Sequence, residues 1–401
     1  MRKTGIAMAA VLLLAAAAAR DTGAAGLGYR HGLPPLLRQE LPMSGFRPMT
    51  PAAKKPAMTA EPKLVGTASY LVFELGEEGQ PPFIGVMDAG ANRGKGALYF
   101  DVDNDGDLAE ETPLESQRWE GTENYGPIAV KLKRAGFVGL YHFCLRRYRY
   151  EGGRPDRWYL MPACYNVGET IIGGQTYRAA VFDATGNGLF NDIWTPSLVT
   201  PDRVFVDWDG DGKFGSKESF NCTLRFVREG RWYSVSTSSD GGDIQFTPAE
   251  FPMGTVTVPH GLEVAAQFLS NTAQGGFIAE GHGRIQVPAD DYRIGMCWVK
   301  AVAADGVKWE AGGSRDPILQ AFVREGEETS LAVGPPFTAS LARTTNSSPT
   351  RGGALEVEAQ LKGDDGKAYR FLRGAERMPP PKMVIRDEGG KELGNYAFQY
   401  G

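Results

Sequence analysis

The segment from Asp207 to Glu218 carries oxygen-bearing side chains at a spacing that suits a divalent metal ion. It reads D-W-D-G-D-G-K-F-G-S-K-E, so acids fall at loop positions 1, 3, 5 and 12 and a glycine falls at position 6. Calcium takes roughly six to eight oxygens, and this spacing lets a short turn surround the ion while the last acid contributes two of them. The predicted ligands are the side chains of Asp207, Asp209, Asp211 and Glu218 and the backbone carbonyl of Lys213.

A second acidic segment occurs earlier in the chain. Residues 101–107 read D-V-D-N-D-G-D, with aspartates at positions 1, 3, 5 and 7 around a glycine. Position 12 is a threonine, so Glu110 or Glu111 would have to complete the shell. Carboxylates this close repel one another unless a cation neutralises them, which favours a bound ion. The predicted ligands of this first loop are Asp101, Asp103, Asp105, Asp107 and Glu111.

The middle acidic segment carries fewer charges. Residues 183–188 read D-A-T-G-N-G, and an aspartate at residue 192 stands two places before position 12. The candidate ligands are Asp183, Thr185, Asn187 and Asp192, and we expect the weakest binding here because fewer charged ligands lower calcium affinity. The same residue types also build tight turns without an ion, so an empty turn is the alternative.

Short strands are predicted to lead into all three loops. Residues 98–100, 178–182 and 203–206 are runs rich in β-branched and aromatic side chains. An EF-hand sensor instead needs a helix on each side of its loop. In ligand spacing alone, the loops resemble those of EF-hands, dockerins and thrombospondin type 3 repeats, and this resemblance implies calcium as the cofactor. We therefore expect calcium to stabilise a β scaffold rather than to move helices.

The N-terminus has the layout of a secretory signal peptide. Arg2 and Lys3 precede an apolar stretch over residues 6–19, and small residues follow it. The stretch is shorter than the roughly 20 residues that a membrane-spanning helix needs, and an uncleaved anchor is the alternative. We expect a secreted or periplasmic protein of the cell envelope, with no transmembrane segment after signal cleavage.

The composition predicts a mainly β, multi-domain protein built of antiparallel sheets. The chain has 401 residues, more than one core usually serves, and 52 glycines and 26 prolines separate its short apolar runs. The formal net charge of −5 becomes −7 once Arg2 and Lys3 are removed, so nucleic acid is not an expected partner.

Five segments are predicted along the chain. The last has about six alternating segments and fits an immunoglobulin-like β-sandwich. Within the fourth, G-R-I-Q-V-P-A-D-D-Y-R-I at residues 283–294 resembles a hairpin of small secreted sandwiches of the carboxypeptidase-regulatory or prealbumin-like type. The predicted order is a signal peptide (1–25), a Pro- and Ala-rich tether (26–63), a β domain with three calcium-type loops (64–250), a small β-sandwich-like domain (251–328) and the immunoglobulin-like sandwich (329–401).

The cysteines leave one disulfide open. Four cysteines are too few for a disulfide scaffold, but a hairpin turning at residues 151–156 would place Cys144 opposite Cys164 and Tyr150 opposite Trp158. A slip in register would instead leave two buried thiols. A second hairpin is predicted around residues 239–243.

The sequence shows no residue pattern typical of catalysis. Its four histidines lack metal-ligand spacing, and it contains no G-x-S-x-G, P-loop or dinucleotide motif. We expect a non-catalytic binding or structural module, with an envelope protein or a polysaccharide as partner. The chain resembles exported bacterial β-rich proteins of uncharacterised role with repeated D-x-D-x-D-G loops. The alternative is a carbohydrate-active enzyme or carbohydrate-binding protein with structural calcium, in which Trp194 or Trp232 stacks on sugar rings.

Overall fold

The structure is a computed structural model, and the predicted signal peptide (1–25) lies outside the residues it describes. Among the described residues, no helix combines the length and the apolar character needed to cross a membrane. The described residues are 26–42, 45–91, 96–119, 121–134, 136–150, 155–198, 200–215, 218–259, 261–272, 275–302, 306–343, 357–373, 376–377 and 382–398.

The chain is mainly β, with many short strands and a short helix. The elements up to residue 248 are β1 (Gly28–His31), α1 (Pro34–Glu40), β2 (Arg47–Met49), β3 (Ala68–Phe73), β4 (Phe83–Asp88), β5 (Ala97–Phe100), β6 (Gln117–Trp119), β7 (Thr122–Arg134), β8 (Phe137–Tyr148), β9 (Arg157–Pro162), β10 (Cys164–Ile172), β11 (Gln175–Phe182), β12 (Arg203–Val206), β13 (Ser219–Asn221), β14 (Arg225–Arg228), β15 (Arg231–Thr237) and β16 (Ile244–Pro248). The elements after it are β17 (Met253–Thr257), β18 (Glu263–Ser270), β19 (Gly276–His282), β20 (Arg284–Pro288), β21 (Asp290–Val302), β22 (Lys308–Gly313), β23 (Leu319–Val323), β24 (Glu328–Ser330), β25 (Thr338–Arg343), β26 (Val357–Lys362), β27 (Tyr369–Arg373), β28 (Glu376–Arg377), β29 (Lys382–Arg386) and β30 (Glu392–Ala397).

The chain forms two compact units, so the prediction of a multi-domain β protein is confirmed. The first unit contains the described residues up to Trp194 together with Leu198–Leu224 and Tyr233–Pro248. The second contains Thr195–Ser197, Arg225–Trp232 and the described residues from Ala249 onward.

Antiparallel sheets build the first unit. One sheet has the order β1-β10-β11-β12-β13, a second has the order β2-β9-β8-β7-β6, and a third has the order β3-β4-β5. The predicted hairpin at residues 239–243 is confirmed, because β15 and β16 pair with Thr237 opposite Ile244. Strands β8 and β9 also pair, as predicted, although residues 151–154 between them lie outside the described residues.

The three acidic loops begin directly after the predicted strands. β5 ends at Phe100, β11 ends at Phe182 and β12 ends at Val206. β11 and β12 are antiparallel neighbours, with Phe182 opposite Arg203 and Ala179 opposite Val206. The second and third loops therefore start at opposite ends of this strand pair and cannot share one ion.

The prediction of a tether over residues 26–63 is wrong for much of that segment. β1 pairs with β10, and β2 pairs with β9. Leu37 in α1 and Leu41 directly after it are buried in a core cluster with Phe182, Phe205 and Phe214. The prolines were misleading because Pro34 stands at the start of α1, where a missing amide costs no helical hydrogen bond.

The predicted opposition of Cys144 and Cys164 is also wrong. The β8–β9 register places Cys144 opposite Met161 and Trp158 opposite Arg147, three residues away from the predicted pairing. β9 ends at Pro162, and Cys164 starts β10 in a different sheet. All four cysteines are free and buried.

Two sheets share one core in the second unit. β17 pairs with β20 and, in parallel, with β24, while β18, β19, β21, β22, β23, β27 and β28 form the larger sheet. Val256 and Val287 from the first sheet pack in one cluster with Phe268, Phe277 and Ile294 from the second. β22 and β27 pair in one sheet, so residues 251–328 and 329–401 share it. The immunoglobulin-like topology of the last segment stays a prediction.

The predicted hairpin at residues 283–294 is wrong in its pairing. β20 pairs with β17, whereas β21 pairs with β18, β22 and β23. The chain at Ala289 passes from one sheet to the other, and the amide of Ala289 donates to the carbonyl of Pro252. Ile285 and Ile294 reach the same core from their separate sheets, so an alternating pattern alone could not distinguish a hairpin from a crossing.

Candidate metal centre

Two groups of carboxylates converge closely enough to hold a metal ion. In each group, one oxygen from every residue lies within 4.8 Å of the others. Two oxygens that each bind one calcium ion at about 2.4 Å can be at most about 4.8 Å apart, so the spacing fits. The groups are Asp101, Asp103 and Asp105 in the first loop, and Asp207, Asp209 and Glu218 in the third.

The backbone of the third loop wraps around the buried carboxylate of Asp207. Its Oδ1 accepts a hydrogen bond from the amide of Gly210 at 2.8 Å, and its Oδ2 accepts one from the amide of Gly212 at 2.9 Å. Both glycines have positive φ, +74° and +80°, which a side chain would strain. The two glycines therefore let the loop turn back on its first acid.

Glu218 closes the third loop. Its Oε1 accepts a hydrogen bond from the amide of Trp208 at 2.7 Å, and its Oε2 accepts one from the amide of Gly215 at 2.7 Å. The Arg178 guanidinium donates to the carbonyl of Gly212 at 2.7 Å and lies 4.4 Å from the ring centre of Phe214. Phe214 is buried, as predicted, so the loop is anchored to the core beneath it.

The other two predicted ligands of the third loop lie at its exposed side. Asp211 is exposed and is not part of the converging group. Its Oδ1 accepts a hydrogen bond from the amide of Lys213 at 2.8 Å. The structure thus brings together the acids at positions 1, 3 and 12 and places the acid at position 5 and Lys213 beside them.

The first loop repeats this arrangement with Glu111 as its closing acid. Asp101 is buried, and its two oxygens accept from the amides of Asp105 at 3.2 Å and Gly106 at 3.0 Å. The Oε1 of Glu111 accepts from the amide of Val102 at 3.0 Å, the contact that Glu218 makes with Trp208. Among the two alternatives from the sequence, Glu111 therefore occupies the closing place.

The charges of the first loop lack a counter-ion among the described side chains around it. Burial raises the pKa of Asp101 and of Glu111, and repulsion from Asp105 and then Asp107 raises the pKa of the exposed Glu110. Each shift has the direction expected when negative charge is concentrated and partly desolvated. A divalent cation would reverse all three because it favours the ionised carboxylates.

Residues from the predicted tether brace the first loop. The amide of Thr59 donates to the carbonyl of Gly106 at 2.7 Å, and the amide of Leu108 donates to the carbonyl of Ala60 at 3.1 Å. Asp107 forms a parallel bridge with Ala60, and its Oδ1 accepts from the amide of Ala109. Asp107 does not belong to the converging group.

The second loop is closed by hydrogen bonds within the protein. The buried carboxylate of Asp183 accepts from the Tyr141 hydroxyl at 2.7 Å and from the amides of Gly186 and Gly188 at 2.6 and 2.7 Å. The hydroxyl of Thr185 lies within hydrogen-bond distance of both Asp183 and Asp192, and the Asn187 side-chain amide donates to Asp192 at 2.7 Å. The four predicted ligands of this loop therefore bind one another or the surrounding chain, and only two of them, Asp183 and Asp192, are acids.

The sequence reasoning missed Asp202, which closes the second loop. It is fully buried, and its oxygens accept from the amides of Ala184 at 3.0 Å and Asp192 at 2.8 Å. Burial, followed by repulsion from Asp183 and Asp192, raises its pKa well above the ordinary value. Asp202 follows Asp183 by 19 residues, so no fixed loop spacing could have identified it.

Comparisons of this chain with protein-family models, with curated proteins and with solved structures found no match.

Proposed function

We propose that this chain is an exported β protein that binds calcium in its first and third acidic loops and uses the ions to stabilise its first unit. The observation that carries the proposal is the convergence of Asp207, Asp209 and Glu218, matched by Asp101, Asp103 and Asp105. Three carboxylates in so small a space are costly without a cation, because each disfavours the charge of the others.

Calcium is the ion that suits these ligands best. The converging atoms are all carboxylate oxygens, which hard cations prefer over the nitrogen and sulfur ligands typical of zinc and copper. Calcium tolerates irregular shells of roughly six to eight oxygens, whereas magnesium demands a near-ideal octahedron and keeps several waters. A glutamate such as Glu218 can also supply two oxygens to the larger ion.

The proposed role is stabilisation. Both loops follow core strands directly, β5 for the first and β12 for the third. An ion that binds only the folded state adds stability as RT ln(1 + [L]/Kd), about 1.4 kcal/mol per site when free calcium is tenfold above Kd. Extracellular modules of this kind have Kd values of roughly 10⁻⁴–10⁻³ M, so the ions would be bound at the calcium levels outside cells.

The test is thermal unfolding in calcium and in a chelator. We expect the chelator to lower the melting temperature of the wild-type protein, and Asp207→Asn to remove part of that difference. Glu115→Gln is the matched control, since Glu115 is an exposed acid near the first loop and outside the converging groups. Identical melting curves for the wild type in calcium and in chelator would contradict the proposal.

Export to the cell envelope, and a binding or structural role there without catalysis, belong to the same proposal. Their support is the signal-like N-terminus with Arg2, Lys3 and the apolar residues 6–19, and the resemblance to exported bacterial β-rich proteins. N-terminal sequencing of the protein purified from its producing cell would test the export step. A mature chain that starts between residues 20 and 26 supports export, and an intact N-terminus in the cytoplasmic fraction contradicts it.

A second candidate function is carbohydrate binding beside the third loop. Tyr177 and Trp208 are partly exposed and meet edge to face with ring centres 5.1 Å apart. As residues that could stack on a sugar ring, they take the place of the two tryptophans that the sequence suggested. Trp194 is buried, and Trp232 packs against Phe277 in a core cluster. Aromatic faces stack on sugar rings, and calcium can bind sugar hydroxyls.

A glycan array probed in calcium and in chelator would test this second function. We expect calcium-dependent retention of a polysaccharide that Trp208→Ala abolishes. The control is Phe322→Ala, which removes an exposed aromatic side chain of the second unit. Retention that survives Trp208→Ala would exclude this surface as the binding site.

A further inference from the structure

Two histidines of the first unit that are far apart in sequence stack face to face. The rings of His31 and His142 have centres 3.9 Å apart and planes only 8° from parallel. The Tyr29 hydroxyl lies 2.9 Å from Nδ1 of His142 and hydrogen bonds to it. His142 is 7% exposed, whereas His31 is exposed to solvent.

The stack joins an edge strand to a neighbouring sheet. His31 and Tyr29 belong to β1, the edge strand that pairs only with β10 in its sheet. His142 belongs to β8 in another sheet. The Cys164 thiol of β10 hydrogen bonds to Tyr29, and Cys164 stands opposite His31 in the β1–β10 register. β1 therefore contacts a buried thiol through Tyr29 and is tied to β8 through the two imidazoles.

The described groups around His142 include no acid that pairs with a protonated imidazole. The groups near His142 are Tyr29 and His31 of β1 and Cys164 of β10. On β7, Ala129 stands opposite His142. The charge of Arg134 acts on Tyr29 and on Cys164. The amide of the adjoining Ala163 donates to the carbonyl of His142, and Asp183 acts electrostatically on Cys164. In the described part of the chain, no aspartate or glutamate forms an ion pair with His142.

A shared metal ion does not account for the stack. The lone pair of an imidazole nitrogen lies in the plane of its ring. Because the two planes are nearly parallel and 3.9 Å separates the ring centres, one ion cannot lie in both planes. What both rings can share is the effect of protonation, since two imidazolium ions at this distance repel each other.

We propose that His31, His142 and Tyr29 form an acid-sensitive latch that holds β1 on β10 near neutral pH and releases it when the imidazole of His142 is protonated. Release breaks the Tyr29–His142 hydrogen bond, separates the stacked rings and uncovers Cys164. The rest of the first unit keeps its sheets, because β10 retains its pairing with β11.

The direction of the pH effect follows from the pKa of His142. Burial, and then the neighbouring His31, lower that pKa from its ordinary value of 6.5 to about 4. A group with a lowered histidine pKa contributes stability above 6.5, and the contribution is lost as the pH falls from about 6.5 towards about 4. Between about pH 7.5 and about pH 4.5, this shift raises the population of the released form by about 70-fold.

The test is the labelling rate of individual thiols with dithiodipyridine, read by peptide mass spectrometry at about pH 7.5 and about pH 4.5 with calcium present. We expect only Cys164 to become labelled at the lower pH, because its opening equilibrium rises by about 70-fold. His142→Phe keeps a stacked ring but cannot take a proton, so it should make the labelling of Cys164 independent of pH. Cys297 of the second unit is the internal reference for intact folding.

Three outcomes would overturn the latch. The first is a Cys164 that stays unlabelled in acid, and the second is acid-induced labelling of Cys164 that persists in His142→Phe. The third is simultaneous labelling of Cys164, Cys222 and Cys297, which means that acid unfolds the whole chain. The latch does not rest on the calcium sites, so failure of one proposal leaves the other standing.

Discussion

The backbone amide of Trp208 donates a hydrogen bond of 2.7 Å to Oε1 of Glu218 and so joins the second residue of the third loop to its last acid. The same contact joins Val102 to Glu111 in the first loop. In the second loop it joins Ala184 to Asp202. A carboxylate held on the amide at position 2 is therefore the shared structural feature of the three loops.

The first prediction concerns the closing acid of the first loop. Glu111→Gln should weaken calcium binding at that loop, because an amide oxygen carries no net charge and offers one oxygen instead of two. Glu110→Gln should have a smaller effect, since Glu110 is exposed and makes no such closing contact. Calcium titrations of the two variants in an Asp207→Asn background would isolate the first site. Equal losses from both variants would contradict the assignment of Glu111.

The second prediction concerns the turn at Gly212. Gly212→Ala should destabilise the protein by about 1–2 kcal/mol, because its φ of +80° is unfavourable for any residue with a Cβ. A Cβ at this position would meet no atom within 4 Å, so the cost is one of backbone strain rather than of packing. Urea unfolding measures it, and Gly242→Ala is the control because Gly242 lacks a positive φ. If Gly212→Ala leaves the free energy of unfolding unchanged, the loop accommodates the Cβ without backbone strain.

The third prediction separates the second loop from the two proposed metal sites. Tyr141→Phe removes the buried hydroxyl that donates to Asp183 at 2.7 Å, and we expect a loss of about 1.5–3 kcal/mol. The loss should be equal in calcium and in chelator, because side-chain donors, the hydroxyls of Tyr141 and Thr185 and the amide of Asn187, occupy the carboxylates of this loop. Tyr150→Phe, at a more exposed tyrosine, is the control. A loss that appears only in calcium would indicate an ion in the second loop.

The fourth prediction concerns the thiols. Burial raises the pKa of Cys144, Cys164 and Cys222 to about 12, so almost no thiolate forms near neutral pH. Cys297 is also buried and has a raised pKa. We expect no thiol to react with Ellman's reagent in the native protein near neutral pH and all four to react in denaturant. Two unreactive sulfurs in denaturant without a reductant would instead reveal a disulfide.

Local patterns in the sequence were enough to predict the strands that enter the loops and the acids that form the two converging groups. Residues 204–206 are apolar and β-branched or aromatic, and Asp207, Asp209 and Glu218 are fixed by spacing within one short segment. Such features depend on neighbours along the chain, which is why they could be predicted. The inward packing of Phe214 followed from the same local reasoning.

Features that depend on distant parts of the chain could not be predicted. The β8–β9 register differs by three residues from the predicted one, and Cys164 belongs to a different sheet, which no pattern around it indicates. The pairing of β1 with β10 and the closing role of Asp202 likewise join segments that are far apart in sequence. Proline-rich composition suggested a tether where Leu37 and Leu41 in fact fill a core.

Isothermal titration calorimetry of the purified protein with calcium tests the central claim most directly. We predict binding heat that saturates at about two ions per chain in the micromolar to millimolar range, and about one ion per chain for Asp101→Asn or Asp207→Asn alone. The double variant should show only the heat of dilution. A wild-type titration with no binding heat at millimolar calcium would contradict the account.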